Sequence, residues 1–123
     1  MSQEVLLERL TRREFRERLQ RGELQAAIIA TGSIEQHLEH LPFAHDTLSA
    51  AWVAEQVARQ LFPKVIVTVP VSIGISEHWM WAPGPLTAKP GSWLAVLFDA
   101  AESLMRDGLR RGRILAVLWG AGG

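Results

Sequence analysis

Residues 25–49 read QAAIIATGSIEQHLEHLPFAHDTLS. The opening run, Gln25 to Ala30, is short and apolar on both faces, which predicts a strand buried within a parallel sheet. A polar stretch follows at once and carries Glu35, His37 and Asp46, with two more histidines at His40 and His45. Carboxylate oxygens and neutral imidazole nitrogens are donors that Zn²⁺ and Mn²⁺ both accept, and an Asp with two oxygens can bridge two ions. Glu35, His37 and Asp46 are therefore candidate metal ligands, and together they make half of a site. Asp46 followed by Thr47 is also a helix-start signal, and Glu35 can cap the segment after it. Both roles are compatible with ligation.

Working outward, the repeat of Ala50, Val53, Ala54, Val57, Ala58 and Leu61 at spacings of three and four predicts an amphipathic helix from about Thr47 to Leu61, ended by Pro63. Val65 to Val71 (VIVTVPV) is β-branched and apolar and predicts a second buried strand. Upstream, Thr11 and Glu14 have capping-box spacing, Phe15 and Leu19 share one side, and Gly22 is a stop, so a helix is expected between them. Downstream, residues 72–90 form a long loop, and residues 91–108 a third helix with Trp93, Leu97, Ala100, Ala101 and Leu104 on one face. Ile114 to Leu118 is a third strand. The order β-α-β-α-β predicts an α/β fold with a mainly parallel sheet, in one domain over residues 1–123.

Composition narrows the partners. Thirteen Lys and Arg balance thirteen Asp and Glu, so no excess positive charge points to nucleic acid or an anionic membrane surface. The arginines of residues 9–21 are interleaved with Glu14 and Glu17 and read as a solvated helix face. Cysteine is absent, which excludes thiolate metal sites and disulfides. No apolar run approaches the length of a bilayer span and no leader pattern opens the chain, so a cytoplasmic protein is the expectation.

In open parallel α/β sheets, ligands collect beyond the carboxyl ends of the strands. Those ends lead here into the Glu35/His37 loop, the Ser76-Glu77-His78 loop and the terminal Gly120-Ala121-Gly122-Gly123, which are expected to meet. Trp79 and Trp81 fit either a substrate pocket or an oligomer contact.

The segment Gly32-Ser33-Ile34-Glu35-Gln36-His37, with His40-Leu41-Pro42 and His45-Asp46-Thr47-Leu48, resembles the signature of the creatininase (creatinine amidohydrolase) family. Gly74-Ile75-Ser76-Glu77-His78 and Ala82-Pro83-Gly84-Pro85-Leu86-Thr87 resemble a second family segment. The resemblance implies a three-layer α/β/α fold and a dinuclear Zn²⁺ or Mn²⁺ centre. It implies hydrolysis of the C–N bond of a small or cyclic amide by metal-activated water. Glu35 and His37 would be ligands to different metals and Asp46 the bridging carboxylate. His40 would support a ligand through a hydrogen bond, and His78 would lie on the substrate side.

Two departures qualify that implication. The family's third strand ends in Asn-Gly-His-Gly-Gly-Asn, whose His is a metal ligand, whereas this chain reads Trp119-Gly120-Ala121-Gly122-Gly123, and a methyl group cannot coordinate metal. The chain also resembles only the N-terminal half of the family fold. A second expectation follows: an apparently truncated, catalytically inactive remnant, acting at most as an oligomerising or interaction module through an unfinished sheet edge.

Overall fold

Thr11 begins the first helix in the way its spacing from Glu14 predicts. In this computed structural model the Thr11 hydroxyl accepts from the Glu14 amide at 3.2 Å and the Glu14 carboxylate accepts from the Thr11 amide at 3.0 Å. The structure describes residues 3–32, 45–68, 71, 80, 83–84, 86–109 and 113–118, with Asp46 and residues 113–118 described by their backbone alone. Helix α1 (Arg12–Gln20) closes on paired bonds from the Gly22 amide to the Leu19 carbonyl and from the Glu23 amide to the Arg18 carbonyl. This double closure requires the left-handed backbone that Gly22 adopts, at φ 69°.

Strand β1 (Ala26–Thr31) pairs in parallel with β2 (Val65–Val67) on one side and with β3 (Arg113–Leu118) on the other, giving the order β2-β1-β3. Successive residues of β1 point to opposite faces, and the sequence makes both faces apolar. Ile28 and Ala30 join Val65 and Val67 beneath helix α2 (His45–Gln60), whose Ala50, Ala54 and Ala58 are fully buried against them. Ala27 and Ile29 join Ile66 on the opposite face, where Leu104 of helix α3 (Pro90–Arg106), Leu109, Leu24 and the α1 residues Phe15 and Leu19 complete a second cluster. The three-layer α/β/α arrangement follows directly: α2 on one side, α1 and α3 on the other.

Three differences from the sequence reading have physical causes. Val57 and Leu61, expected on the buried side of α2, are 40% and 49% exposed. The alanine row carries the apolar contact of the helix with the sheet, and Val57 and Leu61 lie on its flank. The second strand is regular only to Val67, yet the Val71 amide still bonds the Ala30 carbonyl at 2.8 Å and Val71 bridges Thr31. From the Ile28–Val67 pair to the Thr31–Val71 pair, one chain advances three residues and the other four. One extra residue therefore lies on the second chain between the two pairs. Finally, the chain before α1 has a role its sequence did not announce. The Val67 amide donates to the Val5 carbonyl at 2.7 Å and Leu6 bridges Val67, so residues 5–6 cover the β2 edge.

Arg18 holds that N-terminal segment down. It is 4% exposed, donates to the Glu4 carbonyl, and lies 5.1 Å over the Phe62 ring. No helix among the described residues is long and apolar enough to cross a membrane.

Candidate metal centre

The three strands finish side by side. Thr31 is in register with Leu118 on one neighbour and bridges Val71 on the other. With parallel strands about 4.8 Å apart, the three chain exits lie within about 10 Å of one another. The segments that leave these exits carry Glu35 and His37, then His78, then Ala121. The first ligand candidate is only three residues beyond Gly32, and three residues of extended chain reach at most about 11 Å.

Asp46 arrives at the same corner from the other direction. Helix α2 starts at His45, which makes Asp46 the second helical residue and not the N-cap that the Asp-Thr pair also allowed. Thr47, 8% exposed, sits against Gly32 so closely that a Cβ on residue 32 would lie 2.5 Å from the Thr47 hydroxyl oxygen and 2.6 Å from its amide nitrogen. Gly32 is pinned from its other side by its amide bond to the Val71 carbonyl, at 2.9 Å. Gly32 and Thr47, which flank the segment that carries the candidate ligands, are therefore in contact. In the sequence Glu35 and His37 follow Gly32, and Asp46 directly precedes Thr47.

Glu35, His37, His40, His78, Trp79, Trp81, Trp119 and Ala121 lie outside the described residues, as does the side chain of Asp46. Among the described residues no group of three or more His, Cys, Asp or Glu side chains could hold a metal ion. A cleft of about 390 Å³ opens elsewhere, lined by Glu14, Glu17, Arg18, Arg21, Glu23 and Phe62. Phe62 and Pro63 precede β2, so this cleft belongs to the amino end of the sheet. Its charges are mixed, Arg18 is committed to the Glu4 carbonyl, and no histidine is among the described residues that line it. Sequence reasoning did not find it, because Gln3, Arg18 and Phe62 meet only through the packing of the N-terminal segment.

A family model for creatininase, described as creatinine amidohydrolase, matches residues 8–117. The chain belongs to the creatininase family. Among solved structures, a creatinine amidohydrolase (creatininase) superposes with a TM-score of 0.83 at 23% identity, covering 98% of this chain and 46% of its own. A creatininase variant of Zn-Zn type gives 0.81 at 23% identity, covering 98% and 46%. A Mn creatininase gives 0.80 at 22% identity, covering 91% and 44%. This chain thus spans a little under half the length of the creatininases it matches. Comparison with curated protein sequences gives no match. The creatininase fold and an amidohydrolase-family relation are established, and the family includes members with zinc and with manganese.

Proposed function

We propose that the corner formed by the carboxyl end of β1 and the first turn of α2 is this chain's share of a creatininase-type divalent-metal site, with Glu35, His37 and Asp46 as the ligands. The observation that carries the reading is the contact of Gly32 with Thr47, which ties both ends of the ligand-bearing segment to one point. The donor chemistry fits: two carboxylates and an imidazole suit Zn²⁺ or Mn²⁺. When bound, such ions lower the pKa of a water and polarise a carbonyl, the chemistry of amide hydrolysis. The substrate class is a small or cyclic amide, and His40 and His78 are assigned to ligand support and to the substrate side.

Metal content tests the reading. We expect about one or more Zn²⁺ or Mn²⁺ per chain by elemental analysis, lost in Glu35→Ala and Asp46→Ala. Metal well below one per chain, unmoved by either substitution, would overturn it.

A second reading rests on one feature of the sequence: with the glycines aligned, Ala121 falls where the resemblance places a ligand histidine, and in no register does a histidine follow His78. On that reading the chain is a non-catalytic family member that associates with a second copy of itself. Weak or absent metal binding together with concentration-dependent sedimentation supports it.

A further inference from the structure

We infer that Gly32 is a positioning residue for the metal site, because its bare Cα is what lets the first turn of α2 seat Asp46 at the carboxyl end of β1. The inference rests on the metal reading above and adds a residue that touches no metal.

The glycines of this chain divide by the reason they are glycine. Gly22, at φ +69°, has nothing within 4 Å of the place a Cβ would take, and Gly108, at φ +120°, has only a Leu19 methyl at 3.9 Å. Backbone conformation selects those two. Gly32 lies outside the left-handed region, so any residue could adopt its backbone; it is space that excludes a side chain. The obstructing atoms include the Thr47 amide nitrogen, at 2.6 Å, which no rotamer change can move aside. Retreat of Gly32 is blocked by its ladder bond to Val71.

Carbon contacts relax at about 3.5–4.0 Å, so an alanine here must displace the α2 turn or the strand end by roughly 1 Å. Metal–ligand distances hold to within about 0.2 Å. A shift of that size at residue 47 carries the adjoining Asp46 backbone with it and exceeds the tolerance several-fold.

The test is the affinity of the purified chain for Mn²⁺, read from free Mn²⁺ by electron paramagnetic resonance, for wild type, Asp46→Ala, Gly32→Ala and Gly22→Ala. Gly32→Ala should bind at least tenfold more weakly. Gly22→Ala, which strains the backbone far from the corner, should lose stability but keep its affinity. In the wild type, bound Mn²⁺ should also broaden the amide NMR signals of Gly32, Thr47 and Val71 and spare Gly22 and Leu104. If Gly32→Ala does not fold, the deciding variant is Thr47→Ala, which removes the hydroxyl facing Gly32 and leaves the backbone in place. It should keep Mn²⁺ affinity within about twofold of wild type, since the proposal assigns the positioning to the backbone contact; a tenfold loss in Thr47→Ala would overturn it.

If Asp46→Ala abolishes binding while Gly32→Ala binds as wild type, or if Gly22→Ala weakens binding equally, the positioning role is overturned and the metal site stands. If the wild type binds no Mn²⁺, or the broadening falls elsewhere, both fail.

Discussion

At the scale of single residues, the α1 start is held by two reciprocal hydrogen bonds and has a pH dependence that follows from them. Hydrogen bonds from Thr11, first from its backbone amide, hold the Glu14 carboxyl below its ordinary value of 4.5. A lowered folded-state pKa means that the contribution is complete above about pH 4.5 and is lost as pH falls through the folded value. Glu14→Ala, which removes the carboxylate, should therefore lower stability at neutral pH. The difference from wild type should shrink in urea melts at pH 3, and a constant difference would contradict this account. Arg18 tests a different contact. Lysine keeps the charge but neither the flat stacking surface over Phe62 nor the forked donors, so Arg18→Lys should cost about 1–2 kcal/mol despite being nominally conservative. Thermal melts of the two proteins measure it.

At the scale of elements, α2 is the part of the fold with least tolerance. Ala50, Ala54 and Ala58 recur every four residues and all are fully buried against β1 and β2. Replacing Ala54 by Leu should overpack this contact and cost about 1–3 kcal/mol. Trp52, on the same helix but 62% exposed, should change stability by no more than about 0.5 kcal/mol when replaced by Ala. Equal losses from the two would mean that the helix is not seated by its alanine row. The periodicity in the sequence indicated which residues lie on the inward side, but not how narrow the contact is. Val57 and Leu61 have the hydropathy of core residues and lie on its flank.

For the whole molecule, the sheet is covered on both faces but only one of its edges is closed among the described residues. Residues 5–6 cover β2, whereas no described residue pairs with the outer side of β3. Leu94, Phe98 and Met105 expose 63%, 64% and 47% of their surface along one flank of α3, and Leu48 exposes 61% on α2. With a formal charge of zero there is little long-range repulsion between copies. The expected outcome is concentration-dependent self-association in sedimentation velocity, reduced by Phe98→Glu with little change in melting temperature. A sharply melting monomer at all concentrations would rule this out.

What the sequence determined by itself is local. The capping box at Thr11, the glycine closure at Gly22, the apolar run of β1 and the alanine row of α2 depend on residues a few positions apart, and each is readable wherever it occurs. The family signature is of the same kind, since Gly32 through His37 is one contiguous stretch. Tertiary structure alone decided the rest: the order β2-β1-β3, the alignment of Leu118, Thr31 and Val71, the covering of β2 by Val5 and Leu6, and the contact that makes residue 32 a glycine. The physical reason is that these depend on atoms brought together across tens of residues. A spacing rule can say that Gly32 is followed by candidate ligands, but only packing shows that Thr47 lies where its side chain would have been.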